Sequence, residues 1–297
     1  MRFDSYHPAI NLIYFVAAIT CTIMFDHPVY VVLSYTAAFL YSVKLNGLRG
    51  LIFDMCLIPF IAGYTALYSY YNHFGVTNLR QNFIGNNITL EAVVYGLEIG
   101  ITAASVIMML SCLFAVFSSD KVVYLFGRVS PKLSLFLSII LRTVPRVKKK
   151  SRTVDTAQKG IGMSPSQGVF FRRIVNAFRI VSVVITWTME NLVESSISMK
   201  SRGYSLKGRT AFSIYRFDNR DRSFVLMMFV CVTLTAAGMM LDQTHIYYDP
   251  EIVMNRVTPL SYVFYAAYAV MLLLPAGLQT AGELKFRRLR KSVAGDA

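Results

Sequence analysis

The sequence predicts an all-α, polytopic membrane protein with about six transmembrane helices and long amphipathic helices on the cytoplasmic side. The chain is 55% hydrophobic, with a mean hydropathy of +0.49. Only 15% of its residues are charged, against about 25% in a typical soluble protein. The net charge is nevertheless +14. Since apolar membrane spans exclude charge, the basic residues must be concentrated in the segments between them.

Six apolar runs are candidate membrane spans, because a helix needs roughly 17–25 mostly apolar residues to cross the hydrocarbon core. The second run is short, so it either extends to Pro28 and Leu45 or forms a tight helical hairpin with the first. The first run lacks a signal-peptide cleavage site and is interpreted as an uncleaved span. The runs are Ala9–Phe25, Val29–Val43, Leu51–Tyr71, Ala92–Phe117, Phe224–Leu241 and Leu260–Leu278.

The distribution of basic residues predicts the orientation of the chain. Of the 30 Lys and Arg residues, all but Arg80 and Arg256 lie at the termini, in the loop 44–50 or in residues 118–222. Six spans with both termini inside place these residues on the cytoplasmic face of the inner membrane, as the positive-inside rule requires. The predicted regions are 1–117 with four spans, 118–222 as a basic cytoplasmic region, and 223–297 with two spans and a basic tail.

The basic region contains 20 Lys and Arg residues and six Asp and Glu residues, but its apolar residues recur at helical spacing. Ser130-Pro131 predicts the start of a helix that ends at Gly160-Ile161-Gly162, where a left-handed glycine caps it. Ser164-Pro165 predicts the start of a second helix, which runs from about Gln167 to Ser201. Its apolar middle, 174–189, either lies under the membrane as an amphipathic helix, which we favour, or forms a seventh span.

Several other functions lack a supporting motif. No phosphate-binding G-x-x-x-x-G-K-[ST] sequence or H-E-x-x-H zinc motif occurs, so the chain is predicted to be non-catalytic and to bind no cofactor or metal itself. Asp54 and Glu98 are carboxylates within apolar runs, which interfacial or interhelical pairing explains better than acid–base chemistry. The cluster Lys148-Lys149-Lys150 suits anionic lipid or an acidic protein. No aromatic interleaving accompanies it to indicate nucleic acid.

The sequence resembles the transmembrane T component of energy-coupling factor transporters, a subunit also found in cobalt and vitamin uptake systems. The similarity runs over nearly the whole chain. It is carried by His7-Pro8-Ala9, Ile13-Tyr14-Phe15, His27-Pro28-Val29, Thr186-Trp187, Glu190-Asn191, Ser198-Met199-Lys200-Ser201-Arg202-Gly203-Tyr204, Gly208-Arg209-Thr210, Phe217 and Arg220-Asp221-Arg222.

Members of that family carry two Ala-Arg-Gly-like tripeptides at the ends of cytoplasmic coupling helices. Ser201-Arg202-Gly203 is similar to the second. The first aligns with Gly160-Ile161-Gly162, where Ile161 occupies the arginine position and Lys159 supplies a charge one position before the tripeptide. The resemblance implies that Ser201, Arg202, Gly203, Lys159, Gly160 and Gly162 contact the ATPase subunits. An ordinary helix end with a cation and a glycine cap gives the same pattern, and the two interpretations are compatible.

The resemblance further implies two ABC ATPase subunits as partners, which bind ATP and Mg, and a small substrate-binding membrane subunit that takes up a vitamin or metal ion. The apolar residues Val144, Val147, Phe178, Val181 and Ile185 are then expected to form a sliding surface for that subunit. Two alternatives remain open. One is a membrane-anchored scaffold that binds anionic lipid without ATPase partners, and the other is a conventional permease, for which the spans offer few polar groups.

Overall fold

The computed structural model describes residues 3–81, 87–167, 169–204, 206, 215, 217–249, 251–255 and 257–295. Over these residues the chain is almost entirely helical, which confirms the predicted all-α polytopic class. The helices are α1 Pro8–Met24, α2 Pro28–Asn46, α3 Leu48–Tyr71, α4 Leu90–Val116, α5 Ser119–Val129, α6 Pro131–Gly160, α7 Phe170–Ser201, α8 Asn219–Met240 and α9 Pro259–Gly295. Two short antiparallel hairpins pair β1 Asn78–Gln81 with β2 Asn87–Thr89, and β3 Ile246–Tyr247 with β4 Val253–Met254.

The chain divides into two compact units. The first unit comprises Met1–Ser118 and Tyr215–Ala297, and it contains α1–α4, α8 and α9. The second comprises Ser119–Ile214 and contains α5, α6 and α7. Gly208-Arg209-Thr210, which contributed to the family resemblance, lies outside the described residues.

Five helices of the first unit are long and apolar enough to cross a membrane: α2, α3, α4, α8 and the segment Pro259–Arg288 of α9. They correspond to five of the six predicted spans. The remaining one, α1, is an apolar helix of 17 residues, at the lower limit of the spanning range. Helix α7 is not among the five spanning candidates in the described chain.

Two histidines begin the first two helices. Pro8 and Pro28 occupy the first helical position, where proline lacks only an N–H that would be unpaired anyway. The preceding imidazoles add a side-chain cap: Nδ1 of His7 accepts from the Ala9 amide, and Nδ1 of His27 accepts from the Val29 amide, each at 3.3 Å. Each His-Pro pair therefore forms a helix start, with the imidazole as cap and the proline in the first turn.

The core of the first unit is aromatic and includes buried hydroxyl groups. Tyr268 is fully buried, and its hydroxyl lies 2.6 Å from Ser34 Oγ and 3.2 Å from Thr22 Oγ1. These bonds join α1, α2 and α9. Because hydrocarbon offers no water to replace them, such internal bonds are needed for polar groups at this depth.

Helices α2 and α3 form a tight hairpin around Gly50 and Asp54. Ser42 Oγ donates to Asp54 Oδ1 at 3.0 Å, and both residues are fully buried. A Cβ at Gly50 would lie 2.8 Å from the Ser42 carbonyl oxygen, so glycine permits the close approach. Asp54 is thus bonded between helices, as we expected. Glu98 of α4 is also buried.

One predicted helix start is wrong. Ser164-Pro165 does not begin α7, because Phe170 is its first residue and Val169 its N-cap. Ser164 is instead fully buried in the connection, where its hydroxyl donates to Asp155 Oδ1 at 2.7 Å. The Ser164 hydroxyl is therefore bonded to Asp155 of α6 and does not cap α7.

Candidate functional site

Helix α6 ends in a complete Schellman motif. In this motif two backbone amides that follow the helix donate hydrogen bonds to carbonyl groups of its last turn. The Gly162 amide donates to the Lys159 carbonyl at 3.2 Å, and the Met163 amide donates to the Gln158 carbonyl at 2.9 Å. Gly162 adopts φ +73°, the left-handed conformation that this motif requires. Gly160 is the last helical residue and Ile161 is the C-cap.

Helix α7 ends in the same way. The Gly203 amide donates to the Lys200 carbonyl at 3.1 Å, and the Tyr204 amide donates to the Met199 carbonyl at 3.2 Å. Gly203 adopts φ +80°. Ser201 is the last helical residue, with its hydroxyl donating to the Ser198 carbonyl at 2.9 Å, and Arg202 is the C-cap.

The two ends therefore present equivalent tripeptides. Ile161 and Arg202 occupy the same C-cap position, each followed by a left-handed glycine, and both side chains are exposed. The two tripeptides differ at the first position, Gly160 against Ser201, and at the C-cap, Ile161 against Arg202.

The connection after α6 is held by Asp155 and Ser164. Ser164 Oγ donates to Asp155 and also accepts from the Ser166 amide at 3.3 Å, while Asn176 of α7 donates to the Ser164 carbonyl at 3.4 Å. The bond from Ser164, and secondarily the nearby Lys159 ammonium, holds the pKa of Asp155 below its usual value. The carboxylate therefore stabilises this corner above its unfolded pKa, and the contribution is lost as the pH falls through the lowered pKa.

Two cations lie near the end of α6. Lys159 Nζ is 3.5 Å from Asp155 Oδ2, a partly exposed pair one helical turn apart. Arg179 of α7 places Nη1 2.8 Å from the Met163 sulfur, beside Gly162. Arg179 could not be identified from the sequence, because only the fold of the connection brings it to this end. The Lys159 ammonium is paired with the Asp155 carboxylate.

The structure does not bring the two ends together. Helix α7 has 32 residues and is therefore about 48 Å long at a rise of about 1.5 Å per residue. One capped end lies in the connection that precedes α7 and the other at its far terminus. Between them, Lys150 of α6 lies over the Trp187 ring of α7, with Nζ 4.7 Å from the centroid. The site is thus a pair of separate points joined by two packed helices.

Helix α7 has an apolar stripe on the side away from α6. Its packed side carries the buried residues Asn176, Ile180 and Val184. The opposite side exposes large apolar side chains at helical spacing: Phe171, Ile174, Val175, Phe178, Val181, Ile185, Met189 and Leu192. Of the expected sliding surface, Phe178, Val181, Ile185 and Val144 are exposed, whereas Val147 is half-buried. Exposed apolar stripes of this length are typical of contact surfaces.

Among the residues that the structure describes, no group of three or more His, Cys, Asp and Glu side chains is arranged to hold a metal ion. Two of the four cysteines, Cys112 and Cys231, are buried, while Cys21 is half-buried and Cys56 is exposed.

Comparison with known proteins gives a partial similarity. No family model matches the chain. A stretch of 113 residues is 30% identical to the energy-coupling factor transporter transmembrane protein EcfT of Bacillus selenitireducens. The match covers 38% of this chain and 41% of that protein, so the chain spans about two-fifths of the length of the relative that it matches. The fold and the apolar helices define a multi-pass, all-α membrane protein. Part of the present chain is similar to the membrane component of a transporter.

Proposed function

We propose that this chain is the transmembrane coupling subunit of an energy-coupling factor transporter. In this role it links ATP hydrolysis by two ABC ATPase subunits to the reorientation of a substrate-binding membrane subunit, which takes up a vitamin or a transition-metal ion. ATP and Mg are bound by the ATPase subunits. The protein lies in the inner membrane with both termini in the cytoplasm.

The observation that carries the proposal is the pair of matched, capped helix ends. A Schellman end fixes the backbone of the final turn, so Arg202 projects from a rigid base and loses little freedom on binding. A guanidinium held in this way suits an acidic groove on a partner protein. The first end contacts α7 at Arg179 through Met163, and Arg202 lies 23 residues further along α7, about 35 Å at the rise of an α-helix. Two ends separated in this way are suited to two subunits rather than to one.

The coupling mechanism follows from the two long helices. One ATPase subunit docks at Gly160-Ile161-Gly162, with Lys159 beside it, and the other docks at Ser201-Arg202-Gly203. When the ATPase pair closes on ATP, the two docking points move, and α6 and α7 shift relative to each other. The exposed apolar stripe of α7 transmits that movement to the substrate-binding subunit.

The test is purification of the tagged chain in a mild detergent from its native membrane, with mass spectrometry of what is retained. The wild-type chain is expected to retain two ABC ATPase subunits and a small hydrophobic membrane protein. Arg202→Glu is expected to weaken ATPase retention on the order of 30-fold, as for a binding hot spot, and to abolish uptake. Lys132→Glu is the matched control, because this exposed residue near the start of α6 undergoes the same charge change.

Retention of the ATPase subunits and normal uptake by Arg202→Glu would contradict the proposed contact. Recovery of the wild-type chain with lipid alone, from a detergent that preserves such complexes, would instead favour the membrane-anchored scaffold that binds anionic lipid.

A further inference from the structure

A basic depression lies on one face of α6, near the middle of the helix. It has a volume of about 350 Å³ and is lined by Pro145, Lys148, Lys149, Arg152, Thr153 and Thr156. These positions repeat at intervals of three and four residues, so their side chains share one helix face. The depression is separate from both capped ends and is formed by α6 alone.

The depression faces away from α7. Residues two positions apart on an α-helix project in nearly opposite directions, since each residue turns the chain by about 100°. Val147 and Val154 are half-buried and project opposite to Lys149 and Thr156, which line the depression. Lys150, between the two sides, reaches Trp187 of α7.

The paired helices α6 and α7 therefore form a layer with two different sides. The apolar stripe of α7 lies opposite its contact with α6, and the basic depression of α6 lies opposite its contact with α7. In a single interfacial helix the basic face lies opposite the apolar face, but its long side chains still reach the headgroups across one helix diameter. In this layer a second helix, about 10 Å across, separates the basic side from the apolar stripe, which favours an aqueous, acidic protein surface for the basic side.

The positive charges of the depression are uncompensated. Lys148, Lys149 and Arg152 are exposed, and no carboxylate in the described part of the chain forms an ion pair with them. The two threonine hydroxyls already donate within the helix: Thr153 to the Lys149 carbonyl at 3.1 Å, and Thr156 to the Arg152 carbonyl at 2.9 Å. The remaining donors are long side chains on an open helix face, which suit a broad carboxylate surface better than one enclosed phosphate.

We infer that this basic depression is a second docking surface for the cytoplasmic ATPase subunits, and that its partner is a patch rich in Asp and Glu. The inference rests on the proposed function, since it assigns a further contact to the same partners. Exposed complementary charges mainly speed association and set the register of a complex. The depression would thus guide the ATPase subunits to α6, while the capped ends hold them.

The experiment measures binding of the purified ATPase pair to the full-length chain in detergent as a function of salt. The test variant is Lys148→Glu/Lys149→Glu/Arg152→Glu. Its association is expected to be about tenfold slower than that of the wild type at low salt. It should also lose most of the salt dependence that the wild type shows as screening increases. The triple variant Lys148→Gln/Lys149→Gln/Arg152→Gln removes the charge without reversing it and is expected to be intermediate.

The matched control is Lys285→Glu/Arg287→Glu/Arg288→Glu, which makes the same charge change on exposed residues of α9 and should bind the ATPase pair as the wild type does. If the wild type itself does not bind the ATPase pair, the proposed function fails and this inference fails with it. If the wild type binds and both α6 variants associate equally fast at every salt concentration, only this inference is overturned.

Vesicle binding tests the lipid alternative. With phosphatidylcholine vesicles containing about 30% phosphatidylglycerol, the Glu variant of the depression is expected to bind as well as the wild type. Loss of vesicle binding together with normal ATPase association would assign the depression to lipid headgroups and overturn the inference.

Discussion

Gly162 and Gly203 are the residues on which both helix ends depend. Their φ angles of +73° and +80° cost most other residue types about 1–2 kcal/mol. Gly162 has open space around its Cβ position, so a substitution there tests the backbone conformation alone.

Gly162→Ala is expected to lower the hydrogen-exchange protection of the last turn of α6 by about five- to tenfold, because alanine is strained at this φ. Gly160→Ala, two residues earlier, should do the opposite. Gly160 is helical and also has no atom within 4 Å of its Cβ position, and alanine is favoured over glycine in a helix by about 1 kcal/mol. Exchange followed by mass spectrometry distinguishes the two, and equal protection in both variants would contradict the assigned cap.

Ile161 makes the C-cap of the first end apolar, whereas the second end has Arg202 at the equivalent position. Ile161→Arg places a cation at the position equivalent to Arg202, where it also complements the helix dipole. We expect several-fold slower dissociation of the ATPase subunits from this variant. Ile161→Met, which keeps the residue apolar, is the control and should dissociate at the wild-type rate. Unchanged dissociation of Ile161→Arg would show that the first end does not bind through this side chain.

The sequence was informative about residues whose role is local and uninformative about residues that act at a distance. Ser201-Arg202-Gly203 was singled out by its similarity to a family tripeptide, which can be recognised because its residues are consecutive in the sequence. Ser164 and Arg179 were not assigned their contacts, because their partners Asp155 and Met163 lie nine and 16 positions away. The assignment of Ser164 as a helix start failed for the same reason: its hydroxyl has a partner outside its own helix.

At the scale of elements, the α2–α3 hairpin depends on the close approach at Gly50. Gly50→Ala is expected to destabilise the protein by about 1–3 kcal/mol, as overpacking does, because the new Cβ meets the backbone oxygen of Ser42 at 2.8 Å. Gly63→Ala in the same helix is the control, since no atom lies within 4 Å of its Cβ position. Thermal unfolding in detergent measures both, and equal melting temperatures would contradict the packing described.

Helices were predicted well where the apolar pattern is long or where a proline and a glycine mark its two ends. The bounds of α6, from Pro131 to Gly160, were predicted from a proline start and a glycine end, and five spans were predicted from apolar length. Helix α5 was missed although Val122, Leu125, Phe126 and Val129 have helical spacing, because it is short and follows a span directly. The two hairpins have strands of only two to four residues, too short for an alternating pattern to be distinguished from chance.

At the scale of the whole molecule, the distribution of basic residues predicts which side of the membrane each loop occupies. In a variant without the four native cysteines, a single cysteine at exposed His73 should react with a membrane-impermeant maleimide on intact cells. A single cysteine at exposed Lys285 should react only after the membrane is permeabilised. The reverse pattern would place the basic tail outside and would contradict the orientation proposed here.

The contact between Lys150 and Trp187 makes the interface between α6 and α7 optically distinct. Trp187 is the chain's single tryptophan, and an ammonium lies 4.7 Å above its ring. Indole emission responds to nearby charge and to solvent, so tryptophan fluorescence from this chain originates at the junction of α6 and α7. With ATPase partners whose tryptophans are replaced by phenylalanine, the chain carries its own unlabelled reporter of movement at that junction, readable in real time during turnover.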